Sequence, residues 1–310
     1  MTSKGMSPAA EIWRALRHDA GVLRLDHRVA LIVRGGESAD LLHRVTSQDT
    51  RGMEVGAGAP ACVLTAKGKL LAFFELFRVG EDCFVVEIDR SRVEGLRGLI
   101  DRFIFTEQVE LEVPDWSAVG VFGPHAADYV DGVPEPGHAR AEGEGFLFVS
   151  DLLGVTGITY HGPGETAARF AEDQSLPQGG LEEWDALRID AGIPRYGVDA
   201  DETTIPLEAN LDRACHREKG CYIGQEVIAR IDTYGHVNRQ LCRVLIDGDA
   251  VPEPNTLVFD EGDEAGRITS AYLSPVDGKV HALAMLPLVL AESGTALHIG
   301  TASGSPAAVL

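Results

Sequence analysis

No apolar run in this sequence approaches the ~20 residues that a membrane-spanning helix needs. Residues 1–10 contain no signal-peptide core, so a cytoplasmic location is expected. No Cys-x-x-Cys pair and no His-Glu-x-x-His run occurs. Neither a prebuilt zinc site nor a cluster held by four thiolates is therefore expected. The cysteines are Cys62, Cys83, Cys215, Cys221 and Cys242, and an odd set argues against a disulfide framework. Basic side chains are outnumbered, 27 against 48 acidic ones, for a formal net charge of −21. A phosphate backbone is repelled at long range by such a protein, which argues against generic nucleic-acid binding. No internal repeat or low-complexity tract stands out.

What is there is the composition of a globular protein, 45% hydrophobic and 24% charged over 310 residues. That length suffices for one large or two medium cores. The charge is uneven. Residues 131–185 are strongly acidic, whereas residues 211–243 carry Arg213, Arg217, Lys219, Arg230, Arg239 and Arg243 against four acids. A basic stretch in an acidic chain suits a small anionic ligand. Ordinary surface patchiness explains it equally well.

Hydrophobic periodicity gives an α+β reading. Ser7-Pro8 opens a helix to His18, with Pro8 in its first turn. Residues 22–33 read as strand, with a hairpin around Asp26-His27-Arg28. A short helix follows from Ser38 to Val45. Residues 61–65, 70–79 and 83–88 read as strands joined at Lys67-Gly68-Lys69 and Gly80-Glu81-Asp82. Ser91 and Glu94 form a capping-box pattern before a helix with Val93, Leu96, Ile100 and Phe103 on its apolar face. Residues 117–122, 146–150 and 155–160 read as strands, 124–130, 164–173 and 181–191 as helices, and the Gly-, Pro- and acid-rich residues 131–145 as a mobile loop. Gly192 and Pro194 stop the last of these helices. From His236 onward only short strands appear, five or six of them, which suggests a small closed barrel. The expected division is 1–115 and 116–235 as two halves of one domain, and 236–310 as the barrel.

The segment Lys219-Gly220-Cys221-Tyr222-Ile223-Gly224-Gln225-Glu226 carries the most chemistry. Gly224-Gln225-Glu226 opens a helix toward Ile231. A helix N-terminus and the nearby Lys219, His216 and Arg217 favour a thiolate at Cys221. Gly220 and Gly224 permit close backbone approach or positive φ. Tyr222 offers a ring for stacking and a hydroxyl for hydrogen bonding. The same residues also read as a structural cysteine in a tight turn before a helix. Cys62, Cys83 and Cys242 read as packing residues, and Cys215 as a packing residue or an assistant to Cys221.

This eight-residue run resembles the signature of the folate-binding YgfZ family, relatives of the glycine-cleavage aminomethyltransferases. Leu187-Arg188-Ile189-Asp190-Ala191-Gly192-Ile193-Pro194-Arg195-Tyr196-Gly197 is similar to a second family segment, with Asp190 in place of Glu. Ile205-Pro206-Leu207-Glu208-Ala209 follows at the expected distance. Residues 41–49 match an early segment, and residues 266–275 a barrel hairpin. The resemblance covers about residues 20 to 290.

The resemblance implies a folate-binding domain of mixed sheets and helices, a C-terminal β-barrel, and tetrahydrofolate as ligand. It implies that Arg188 pairs with a folate carboxylate, that Glu208 meets pterin amines, and that Tyr196 and Tyr222 stack. Plainer roles stay open for three of these. They are an ion pair with Asp185 or Glu183 for Arg188, solvation for Glu208, and closure of a turn for Tyr196. Cys221 is the implied reactive thiol or transient metal ligand and Lys219 its activator, with Gly220, Gly224, Gln225 and Glu226 supporting the turn. The implied role is accessory to iron–sulfur cluster assembly or repair, with client or assembly proteins as partners. Two departures stand out. The transferases' Asp-Asp pair is missing from residues 68–74, where the first carboxylate is Glu75. Val155 and Thr159 occupy the positions of two pterin-holding glutamates. An aminomethyltransferase and a pure docking module are the alternative readings.

Overall fold

The computed structural model describes residues 8–173 and 175–310. The elements run α1 (Pro8–His18), β1 (Gly21–Arg24), β2 (Arg28–Arg34), α2 (Ser38–Val45), β3 (Gly58–Leu64), β4 (Leu70–Gly80), β5 (Cys83–Asp89), α3 (Val93–Asp101) and β6 (Glu110–Glu112). They continue with β7 (Ser117–Phe122), β8 (His138–Glu142), β9 (Gly145–Ser150), β10 (Gly157–Gly162), α4 (Gly164–Asp173), β11 (Gln178–Gly179), α5 (Leu181–Ala191) and α6 (Gln225–Tyr234). The last are β12 (Arg239–Ile246), β13 (Leu257–Asp260), β14 (Asp263–Leu273), β15 (Val280–Pro287), β16 (Ala296–Ile299) and β17 (Ser305–Val309).

Three β-structures result. One is a five-stranded sheet in the order β3-β4-β5-β2-β6, the second a six-stranded sheet in the order β11-β1-β7-β10-β9-β8. The third is a closed barrel, β12-β15-β14-β13-β16-β17. The fold is the expected α+β arrangement with a small C-terminal barrel. Among the described residues, no helix is long and apolar enough to cross a membrane.

Period-2 alternation explains how the two open sheets stack. In the five-stranded sheet Val29, Leu31, Val33, Ala72, Phe74, Leu76, Phe84, Val86 and Ile88 pack on α2 and α3. The intervening Ala30, Ile32, Phe77 and Val85 meet Ala139 and Phe148 of the other sheet. Phe77 and Phe148 stack there with ring centroids 4.6 Å apart. That geometry contributes about 1 kcal/mol beyond area burial. The outer face of the six-stranded sheet, including Val119, Val121, Leu147, Val149, Ile158 and Tyr160, is covered by Ala167 and Ala171 of α4.

Several local expectations need correction. Residues 26–28 are no hairpin turn. β1 pairs with β7 and β11 and β2 with β5 and β6, so the chain crosses between sheets there. The capping box before α3 does not form; instead the Ser91 backbone N–H and hydroxyl both donate to Asp89. Residues 131–145 are not all loop, since β8 pairs with β9 through His138–Glu142. The expected Ser7 cap lies outside the described residues.

Candidate functional site

The inner faces of the two sheets are apolar at one end and polar at the other. Arg28, Glu75, Glu87 and Asp89 continue the inward-facing rows of β2, β4 and β5, and Ser150, Thr159 and His161 continue those of β9 and β10. All of these except His161 border a cleft of about 790 Å³ up to its mouth, and His161 lies behind them against Glu87. Phe73 lines its wall, with Trp184 of α5 and the segment Ile193-Pro194-Arg195-Tyr196. The αL turn at Gly192 (φ 73°) ends α5 and directs that segment to the mouth.

The polar groups are organised in pairs. Arg28 Nε donates to Glu87 Oε1 at 3.1 Å, and His161 Nε2 lies 3.6 Å from the same oxygen. Burial pushes the Glu87 carboxyl up, but Arg28 and His161 outweigh it and hold it down at about 2. Glu75 is the cross-strand partner of Glu87 and accepts a hydrogen bond from Ser150 Oγ at 2.7 Å. Burial, reinforced by the Glu87 charge, pushes Glu75 up to about 7. Glu75 touches the solvent of the cleft yet is surrounded by protein. Arg195 Nε donates to Asp89 Oδ2 at 2.8 Å. His27, edge-on to Trp184 at 4.6 Å, is lowered to about 3 by burial and by Arg28 and Arg195, so its imidazole is neutral. A second opening, bordered by Gly58, Pro60, Gly137, Asp151 and Arg213, also reaches Glu75 and Ser150.

Among the residues expected to meet a ligand, Tyr196 lines this cleft, with the Arg92 guanidinium 5.3 Å from its ring centroid. Three others do not. Arg188 is 2% exposed and spends its guanidinium on Asp185 (2.5 Å), Asp199 (2.7 Å) and Ser270 (2.9 Å). It ties α5 to the barrel and does not line the cleft. The Asp185 pair was the plainer alternative. Glu208 is buried and caps its own turn by accepting from Ile205 N–H at 2.9 Å, with Arg239 at 3.3 Å. Tyr222 borders a separate, smaller cavity with Cys215, His216 and Gln225.

The cysteine motif stands apart from the cleft. Lys219 is buried, and its ammonium donates to the carbonyls of His43 (2.6 Å), Thr46 (2.7 Å) and Gln48 (2.7 Å). It also lies 4.8 Å from the Tyr222 ring centroid. With all three protons taken by the end of α2 and the following loop, Lys219 pins these segments together, and none of its hydrogen bonds goes to Cys221. Gly224 is the N-cap of α6 at φ 86°, and a Cβ there would lie 2.5 Å from the Thr65 carbonyl oxygen. Only glycine fits without strain. Gln225 Nε2 reaches the Lys219 carbonyl at 3.3 Å, Glu226 is exposed in the first turn of α6, and Gly220 sits beside His43. Cys221 is the exposed cysteine and opens onto a shallow groove with Phe103, Ile223 and an 83% exposed Phe105. Cys215 meets Cys62 in the core rather than reaching Cys221.

Residues 239–310 match the glycine cleavage T-protein C-terminal barrel domain. The chain is 26% identical to an aminomethyltransferase of Alcanivorax borkumensis over 88% of its own length and 79% of that protein. It is 26% identical to one of Symbiobacterium thermophilum, over 94% and 85% respectively. The crystal structure of glycine cleavage system aminomethyltransferase T from Bartonella henselae superposes with a TM-score of 0.84 at 20% identity, covering 96% of this chain and 86% of that one. The chain is thus similar to aminomethyltransferases in sequence and fold over most of its length, and its C-terminal barrel matches their barrel domain.

Within this aminomethyltransferase-like chain, sequence reasoning missed Arg28, Glu87, Trp184 and Arg195 and undervalued Glu75. The signal was present. Glu87 and Asp89 at alternate positions of the apolar strand β5, with Glu75 in the apolar strand β4, mark an inner face that is not filled with hydrocarbon.

Proposed function

We propose that the cleft between the two sheets binds a reduced folate, tetrahydrofolate or a derivative. The observation that carries this reading is an enclosed space in an aminomethyltransferase-like fold, walled by Phe73, Trp184 and Tyr196 and floored by the Glu75 carboxyl. The donor set fits such a ligand. Aromatic rings suit a flat heterocycle, the carboxyl suits its N–H groups, and Arg92 at the cleft replaces Arg188 as the partner for its carboxylates. When bound, the folate supplies a carrier for one-carbon units.

We further propose that the chain is of the YgfZ branch and serves iron–sulfur cluster assembly or repair through Cys221. The exposed thiol beside an apolar groove, remote from the cleft, supports a contact with a client or assembly protein. Iron–sulfur enzyme activity in cells lacking this protein, rescued with wild type or Cys221→Ala at matched expression, tests it. Rescue by wild type alone is expected; equal rescue by both overturns the role of Cys221. Two observations favour a second reading, an aminomethyltransferase: the names of the relatives and the protonatable Glu75 in the cleft. It requires purified protein to form methylene-tetrahydrofolate from the lipoyl-carried intermediate at an enzyme-like rate.

A further inference from the structure

Glu75 and Glu87 are opposed across β4 and β5 on the inward-facing side of the sheet. Two buried carboxylates so placed do not both ionise cheaply. Which one keeps the charge follows from their partners. Glu87 holds Arg28 at 3.1 Å, with His161 at 3.6 Å. Glu75 has the Ser150 hydroxyl on one oxygen, and its other oxygen accepts no hydrogen bond from any described residue. The remaining charged groups around it do not offset its burial. Asp151, beyond Ser150, adds a further negative charge, and the Arg213 guanidinium at the second opening is paired with Asp151 at 2.9 Å. Farther along β5, Asp89 is neutralised by Arg195. The proton of the pair therefore rests on Glu75, at the one free carboxyl oxygen facing the cleft.

We propose that Glu75 is a proton-exchanging ligand group: below neutral pH it carries a proton in the free protein and releases it when a ligand presents N–H donors to it. This rests on the reading that the cleft takes a reduced folate, whose heterocycle carries an amide N–H beside an amino group. The exchange balances simply. The carboxylic O–H bond breaks, its proton goes to the buffer, and the ligand's N–H donates to the carboxylate left behind. The ligand loses no atom and no electron moves. A ligand offering only acceptors would leave the proton in place, so the site selects for donors.

Calorimetric titration of 5-formyltetrahydrofolate into the full chain tests this in two buffers of different ionisation enthalpy. The ligand's own carboxylates stay ionised throughout the range used. With the Glu75 value at about 7, about 0.9 proton should be released per ligand at pH 6.0, and less than about 0.1 at pH 8.5. Glu75→Gln should show no buffer dependence at either pH and bind about tenfold or more weakly. Binding without proton release at pH 6.0, or release that persists in Glu75→Gln, overturns the proposal and leaves folate binding standing. Absence of binding by wild type overturns the folate reading and this inference with it. The wild-type titrations decide the matter even if the variant fails to fold.

Discussion

Replacing Lys219 by methionine keeps most of the side-chain volume and removes only the ammonium. The carbonyls of His43, Thr46 and Gln48 then lose donors at 2.6, 2.7 and 2.7 Å in a buried place. Each orphaned carbonyl costs ~1 kcal/mol or more. The wild-type ammonium itself carries a desolvation cost, for its burial lowers Lys219 to about 8. The net loss should be about 3 kcal/mol. With an unfolding entropy of ~2 cal/mol/K per residue over a chain of this length, Tm should fall by about 5 °C. The fold survives, because typical stabilities are ~5–15 kcal/mol. The assay pairs a thermal melt with the rate of native-state alkylation at Cys221. A lower Tm with an alkylation rate within about twofold of wild type is expected, since Lys219 serves α2 and not the thiol. An unchanged Tm with alkylation slowed tenfold would refute the reasoning and restore Lys219 as an activator.

Three other outcomes are expected. A carboxyl raised from 4.5 to about 7 contributes stability that is present below pH 4.5 and lost as pH rises through 7, a difference of about 3 kcal/mol. Glu75→Gln should therefore be more stable than wild type at pH 8 in urea titrations, and the gain should vanish near pH 4.5. His281 places Nδ1 2.8 Å from Asp190 and Nε2 3.0 Å from Asp277, so only the imidazolium satisfies both acceptors. The hydrogen bond that its Nδ1–H donates to Asp190 leads the causes that raise it, against burial. Its stabilisation is full below pH 6.5 and lost as pH rises through the raised folded value, so His281→Phe should flatten the decline in Tm above neutrality. Arg188→Met leaves the fully buried Asp199 carboxylate without its guanidinium and should cost ~3–5 kcal/mol in urea unfolding. Intact stability with lost folate affinity would return Arg188 to the ligand.

The barrel was legible because short alternating strands separated by turns have few other solutions, and α5 because Gly192 and Pro194 mark its end. The crossing of β1 to the other sheet was not. A strand's alternation identifies its buried face but not its neighbour, and Asp26-His27-Arg28 looks the same in a hairpin as in a crossover. The site divided along similar lines. Gly224 was expected either to let the backbone approach a ligand or to take positive φ, and the structure uses the positive φ, with the close approach made to the chain's own Thr65 carbonyl. Arg188 and Lys219 were read by their charge, whereas their roles depend on long-range partners. Ser270 lies 82 residues from Arg188, and the carbonyls that Lys219 binds lie more than 170 residues away. The cleft needs strands from both sheets brought together, β2, β4 and β5 from one and β7, β9 and β10 from the other, so no local motif announces it.

The central claim is that the ligand site is the cleft between the sheets and not the cysteine motif. Equilibrium binding of 5-formyltetrahydrofolate, followed through the fluorescence of Trp184 in the cleft, tests it with wild type, Cys221→Ala and Val155→Trp, a substitution that fills the cleft from its wall. Wild type and Cys221→Ala should bind alike, and Val155→Trp should lose binding while keeping its fold. Loss of binding in Cys221→Ala with full binding in Val155→Trp would contradict the account.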